Sequence, residues 1–383
     1  MCARQYFCSS ALLPKDASLL SQINSAASRL HKKLISLLDL KSLGISEFNQ
    51  RCLGDKLANP IGTLQCCTYL LALSLDGNNF PLQEFAFVDY GGGSGVLSLL
   101  AKELGIGRVI YSDIHDVQCN DAKIIARATG INVDHYVCGD IDELIAYVDN
   151  RSLSINAISS YDVIEHIYDI EAYLKKLHCL CRNQSLRVVF GSGANIKNPL
   201  IARRLRKAQL RSEYEDQEKT WGHHCERDSL RSCLSLRKEI IANYDPTLGR
   251  EEIEEIGKNT RGLFKCDIEK CVDEYKATGR VSYRPKDPTN TCDPYTGNWS
   301  EHLMEPEWLE SILKDGGFNV KILNGYYAYN SKDSLIKRHA KNVLNMLIQW
   351  SGRRGLTISN YYVLCADYIP GSDWRADAIE VES

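Results

Sequence analysis

No apolar run in the 383 residues approaches the roughly 20 uninterrupted positions that a membrane-crossing helix needs, so a membrane is not expected as a partner. Neither sign of charge is in excess. The 46 Lys and Arg meet 49 Asp and Glu, a net charge of -3, and binding to nucleic acid would have to rest on a local patch. Cysteine pairs at metal or redox spacing are also missing. The 15 cysteines, an odd number, are scattered from Cys2 to Cys365 without a C-x-x-C pair, which argues against a disulfide framework and a zinc ribbon. The opening stretch MCARQYFCSSALLPK has one Arg and only a short apolar stretch before Pro14, too weak for a secretory signal, and the expected address is a reducing cytoplasm. What is present is a globular composition, 44% hydrophobic, of a length suited to about two to three structural units.

Three rhythms follow one another. In residues 1–80 the apolar positions Leu19, Leu20, Ile23, Ala27, Leu30, Leu34, Leu37 and Leu38 recur at helix-face spacing, and a second run spans Leu64 to Leu75. Asn59-Pro60 separates two helices, and the whole reads as a helical cap or a homodimer surface. From Phe85, short β-rich runs alternate with helices: FAFVDY, RVIYSD, VDHYVCGD, INAISSYD and LRVVFGSG, then FNVKIL and YYVLCADY near the end. The fold expected from this alternation is α/β, a doubly wound, mainly parallel seven-stranded Rossmann-like sheet with a helical N-terminal cap and a helical insertion. The division is 1–80 cap, 81–194 first part of the core, 195–300 polar, helical insertion, 301–370 last strands and 371–383 tail. Helices are expected over Ile170–Cys181, around Trp308 to Lys314 and around Leu335 to Trp350.

The sharpest local signal is Asp89-Tyr90-Gly91-Gly92-Gly93-Ser94-Gly95, a D-x-G-x-G-x-G loop between a strand and a helix. Glycine serves here where a backbone turns tightly beside a ligand. A dinucleotide fingerprint would need Gly or Ala at position 96, which is Val, so a dehydrogenase is disfavoured. Asp113 ends the second strand, where a carboxylate can accept ribose hydroxyls, and Asp140 ends the third, where it can accept from an exocyclic amine. Each could instead cap the following helix. Three acids at three successive strand ends, on the edge where doubly wound sheets bind ligands, favour a site.

On VDYGGGSG, the Asp113 strand end, GDIDEL and YDVIEHIYDIEAYL, with a weaker echo in EHLMEPEWLESILKDGGF, the chain resembles the class I S-adenosylmethionine-dependent methyltransferases. The likeness is to the small-molecule branch similar to ubiquinone-biosynthesis enzymes, over roughly residues 85–193 and 300–370. It implies S-adenosyl-L-methionine as cofactor. Asp89, Gly91, Gly93 and Gly95 would then hold its methionine end, Asp113 with Ile114 the ribose, Asp140 with Ile141 the adenine, and Tyr161 would lie beside it. Asn156 stands where the family more often has Asp, and a long helix replaces the usual hairpin between the last two strands.

The expected activity is methyl transfer to an O or N atom of a small molecule in biosynthesis. The chain lacks a Pro-Pro-aromatic signature after strand four, a Pro-Cys dipeptide and a double-glutamate loop, as base, glutamine, cytosine-C5 and arginine methyltransferases would carry. Alternatives are a protein or nucleic-acid methyltransferase and a non-catalytic regulator that binds the cofactor. In-line transfer needs alignment above all, and a base only for an acceptor that keeps its proton. His302 is the first candidate base and His166 the second, each weighed against a packing role. His223-His224-Cys225 lacks a second ligand pair, and no metal is expected. Arg203, Arg204, Arg206, Lys207 and Arg211 read as a solvated helix face before an anion handle. The aromatics Tyr214, Trp221, Tyr283, Tyr295 and Trp299 either wall a pocket or form the insertion's own core. The insertion itself is expected to be a lid over the acceptor.

Overall fold

Asp16 starts the first helix by accepting from the Ser18 and Leu19 amides, and Ser46 and Asn59 do the same for the next two. The computed structural model describes residues 6–7, 13–181, 184–216, 231–330 and 332–370; Trp221, His223, His224, Cys225 and the tail from 371 lie outside them. The three N-terminal helices are α1 (Ala17–Leu37), α2 (Glu47–Ala58) and α3 (Pro60–Ser74), with the break at Asn59-Pro60.

The alternating part then runs β1 (Ala86–Tyr90), α4 (Val96–Leu104), β2 (Arg108–Asp113), α5 (Asp116–Thr129), β3 (His135–Cys138), α6 (Ile141–Asn150), β4 (Ala157–Tyr161), α7 (Ile170–Lys176) and β5 (Leu186–Ser192). The predicted helix to Cys181 stops at Lys176 and continues as a 3-10 turn over Leu177–Leu180. Four helices follow, α8 (Pro199–Tyr214), α9 (Cys233–Tyr244), α10 (Arg250–Asn259) and α11 (Lys265–Thr278), and the chain closes with α12 (Pro306–Asp315), β6 (Phe318–Asn324), α13 (Leu335–Trp350) and β7 (Tyr362–Tyr368).

The seven strands lie in the order β3-β2-β1-β4-β5-β7-β6. The first five are parallel, and β7 inserts antiparallel between β5 and β6. Every residue of β1 is buried because helices cover both faces. One face packs α1, α3, α4 and α5 around Phe87, Val109 and Val189; the other packs α6, α7 and α12 around Val88, Ile158 and Val188. The winding reverses between β1 and β4, so the crevice beyond their carboxyl ends is where such a sheet takes a ligand.

Helices α9 to α11 bury Ile240, Ile241, Ile256, Ile268 and Val272 in a separate small core, with Tyr283 and Tyr295 packed on it. Those two tyrosines therefore serve the insertion's own packing, and Tyr214 is exposed. On α8, Arg203, Arg204, Lys207 and Arg211 are exposed, and Arg211 pairs with Glu215 at 3.6 Å, the solvated face expected.

The insertion leaves and returns at the carboxyl edge of the sheet. Asn195, beyond β5, bridges Met304 and donates to the carbonyls of Leu356 and Ser359, both at 2.9 Å. On the way back, Asn290 exchanges two bonds with the Leu303 backbone, each 3.1 Å.

Candidate active site

The glycine loop is locked from below. The amides of Gly91 and Gly92 donate to the Ser112 carbonyl at 2.8 and 3.1 Å, and the Tyr111 hydroxyl donates to the Gly93 carbonyl at 2.7 Å. Gly91, Gly93 and Gly95 hold φ of +66°, +52° and +74°, a region that L side chains rarely enter. The reasons for glycine differ: a Cβ at Gly91 would meet Val163 at 2.5 Å, whereas one at Gly93 would point into open space. Gly93 thus presents bare backbone to whatever lies over the loop.

Asp89 is buried beneath that loop. Gly95 is the N-cap of α4 and has no side chain to offer, so Asp89 Oδ2 takes the Ser98 amide at 2.9 Å and the Ser98 hydroxyl at 2.7 Å in its place. Burial pushes its carboxyl up to about 6. Asp113 does not cap α5, whose N-cap is His115; its two oxygens accept from His115 and Gly93 amides, each at 3.0 Å. It joins the β2 end to the glycine loop, and burial raises its pKa. Each carboxylate oxygen keeps a further lone pair for a hydroxyl donor.

Asp140 stands two residues beyond β3, and there the capping role is realised: it accepts from the Asp142 amide at 2.7 Å while Glu143 accepts from the Asp140 amide at 2.9 Å, a capping box for α6. Ile141 is buried in the core beside Val88 and Tyr90. Ile114 is 63% exposed next to Asp113, so the apolar surface open to a planar ring at this edge is Ile114's. The Tyr161 ring turns toward Tyr361, edge-on at 5.7 Å, and packs against the α3 side of the core.

Sequence reasoning passed over Lys56. Its helix, α2, is fixed on α5 by a buried polar set in which Asn49 donates to Gln118 and Asp121, both at 2.7 Å. From there Lys56 Nζ donates to Ser94 Oγ in the glycine loop at 2.9 Å, and its charge lowers the pKa values of Asp89 and Asp113. It has no carboxylate partner among the described residues. A lysine 33 positions ahead of Asp89 carries no local signal of this.

On the β4 side, a second group of acids meets the returning insertion. Asp162 holds φ +54° and accepts from the Gly193 amide at 2.8 Å. Glu165 accepts from the Ser192 hydroxyl at 2.8 Å and the Gly193 amide at 3.1 Å, while its other oxygen is buried with no hydrogen-bond partner. Burial raises Glu165 to about 7, and the nearby Glu301 adds to the shift; Asp162, exposed at the surface, is raised by neighbouring acids. Glu301, at φ +57°, adds a third negative group.

His302 donates its amide to the Glu165 carbonyl at 3.0 Å and stacks on Trp299 with centroids 4.1 Å apart. Burial lowers its imidazole to about 4, and Nδ1 has no partner. His166 Nδ1 lies 2.8 Å from the Trp299 carbonyl, which can only accept. That bond fixes the proton on Nδ1 and leaves Nε2 as the lone-pair nitrogen. The structure therefore brings Asp89, Gly91, Gly93, Gly95, Asp113, His166 and His302 to one edge of the sheet, and no group of three metal-ligating side chains occurs among the described residues.

Residues 88–188 match the family model of a methyltransferase domain. None of the curated proteins matches the chain. Among solved structures, it is similar to an S-adenosylmethionine-dependent methyltransferase from Clostridium acetobutylicum (11% identity, TM-score 0.37, 78% of this chain and 89% of that one). A second is PKMT2 from Rickettsia typhi in complex with AdoHcy (14% identity, TM-score 0.36, 79% and 52%). A third is the N-terminal domain of EvdMO1 with SAH bound (12% identity, TM-score 0.24, 28% of this chain); the chain spans 43% of that domain's length. The family match runs from within β1 into β5, so the methyltransferase-domain segment forms the five parallel strands of a sheet whose order is 3-2-1-4-5-7-6.

Proposed function

We propose that the protein transfers a methyl group to an oxygen or nitrogen of a small molecule, using S-adenosylmethionine bound across the ends of β1, β2 and β3. The observation that carries this reading is the pairing of the open Gly93 backbone with the buried Asp113 carboxylate, which joins loop and strand end and keeps lone pairs for two vicinal hydroxyls. The sulfonium supplies an electrophilic methyl group. Asp89 holds the loop in shape, Asp113 would hold the ribose, Ile114 would offer apolar surface to the adenine, and Asp140 would be available to its exocyclic amine.

Charge assigns the amino-acid end. The edge is lined by Asp89, Asp113, Asp140 and Asp162, none of which accommodates a carboxylate. The N-terminus of α4 is already answered by Asp89. Lys56, which donates to Ser94 beside the glycine loop, is the residue that would hold the cofactor's carboxylate. Lys56→Met is expected to weaken S-adenosylhomocysteine at least tenfold and to leave 5′-methylthioadenosine, which has no carboxylate, within twofold in calorimetric titration. An equal loss for both ligands would remove Lys56 from this role. Binding of NAD, with no response to either nucleoside, would remove the cofactor reading itself.

The acceptor lies between β4 and the returning insertion, with residues 195–300 as its lid. The buried Glu165 carboxyl resists ionisation and can donate a hydrogen bond to the acceptor, with the exposed Asp162 beside it, and the His302 imidazole would take the proton of a hydroxyl. Because its pKa is lowered to about 4, His302 is neutral and able to accept throughout the neutral range. Turnover should fall at low pH as His302 protonates near about 4 and decline above about 7 as Glu165 ionises and ceases to donate, and His302→Gln should cost about 10² to 10⁴ in rate with cofactor affinity unaltered. Loss of turnover in His166→Gln with little change in His302→Gln would move the base to His166.

A further inference from the structure

Helix α13 is turned with its apolar side outward. Facing the core are Asn345, which exchanges two bonds with the Tyr327 backbone at 2.8 and 3.1 Å, Lys341, which donates to the Ala328 carbonyl at 2.7 Å, and Ile348. Facing away are Leu335, Ile336 and Trp350, 83%, 84% and 83% exposed, with Val343, Met346 and Leu347 about half exposed between them. Positions 336, 343, 347 and 350 form one stripe along all four turns. A surface helix normally has the opposite arrangement, and a contiguous apolar stripe of this length marks a contact surface.

The charges along this segment are mostly of one sign. From 332 to 354 there are six basic residues, Lys332, Lys337, Arg338, Lys341, Arg353 and Arg354, and a single acid, Asp333, in a chain of net charge -3. Asp333 is buried under the helix, where it holds Lys337 and Lys341, and Arg353 pairs with Glu307 and Glu310 of α12, while Lys332 and Arg354 are exposed and make no ion pair among the described residues. A second copy related by a two-fold axis would set this cationic border against itself. Anionic headgroups answer it, with the apolar stripe and a terminal Trp entering the acyl boundary.

We propose that α13 docks the protein on an anionic membrane surface. This departs from the expectation of no membrane partner, and it stands independently of methyl transfer. Because β5 and β6 are both antiparallel to β7, β6 runs with the first five strands, and the chain enters α13 from the same edge that carries the glycine loop. The docked face is therefore at the edge of the sheet that receives ligands.

The test uses the full chain with vesicles of phosphatidylcholine alone or mixed with phosphatidylserine. Sedimentation with the mixed vesicles, loss at high salt and a blue shift of Trp350 fluorescence are expected. Ile336→Glu with Leu347→Glu should weaken binding at least tenfold, and Lys332→Ala and Arg354→Ala about fivefold each. All four positions are exposed, so thermal melting should match the wild type. Absence from the mixed vesicles, or equal binding to neutral ones, overturns the proposal. So does a dimer in light scattering that Ile336→Glu converts to monomer without any vesicle binding, since the stripe then belongs to a second copy.

Discussion

Asp113→Ala should lower S-adenosylhomocysteine affinity by about a hundredfold, because a carboxylate that accepts two hydroxyls makes bonds of roughly 1.5 to 3 kcal/mol each before competition with water. The fold should suffer less. Two backbone bonds disappear, from Gly93 and His115, at a cost to the unliganded protein of about 1 to 3 kcal/mol. These two effects are separated by a cofactor analogue without ribose hydroxyls, measured by calorimetry beside the intact one. The analogue should bind wild type and Asp113→Ala almost alike, since the bonds at issue are absent from both complexes. If the variant loses affinity equally for both ligands, Asp113 acts only by tying the loop to β2, and the ribose assignment fails.

Arg237→Met should unfold the insertion, at a cost of about 3 to 5 kcal/mol, while the cofactor site survives. Arg237 is wholly buried on α9 and forks onto Glu213 of α8, which is equally buried; its Nε also donates to the Gly257 carbonyl on α10 at 3.0 Å. Thr291, on the returning segment, donates to the same carboxylate at 2.7 Å. One ion pair thus joins three helices to the strand of chain that delivers Trp299 and His302. Methionine fills the space of the arginine stem and leaves Glu213 charged and unpaired in an apolar setting, the costly arrangement. Replacing both, with Arg237→Met and Glu213→Leu, should recover most of the loss. Limited proteolysis between 231 and 300 reads the insertion, and S-adenosylhomocysteine titration reads the core. A single variant as protease-resistant as the wild type would show that the ion pair is not what holds these helices together.

The position of the cofactor edge was readable because it depends on local chemistry. Four glycines in a run of five, followed by Asp113 and Asp140 at strand ends, are features of short segments, and backbone sterics and strand alternation act at that range. Asp140 shows where local reading stops. A carboxylate at a helix start satisfies the same sequence pattern whether it caps or binds, and the capping box with Glu143 appears only when the side chains are placed. Ile114 and Ile141, both expected at the cofactor, differ in exposure for a similar reason: both follow a strand-end acid, and the packing of α6 against β1 covers Ile141 and leaves Ile114 open.

From the sequence alone came the alternation of strands and helices, the glycine loop, the acids beside it and the interruption between residues 195 and 300. All of these rest on propensity, period and spacing along the chain. Tertiary structure decided what long-range contact alone can set. Lys56 reaches Ser94 across 38 residues, and Trp299 with His302 reaches Glu165 and His166 across more than 130. It also decided the direction of α13. Its sequence has an apolar and a polar face, and the period of 3.6 residues says only that the two are opposite. The Tyr327 backbone bonds to Asn345 turned the polar face inward, because buried peptide groups must be satisfied, and so left Ile336, Val343, Leu347 and Trp350 facing away from the core.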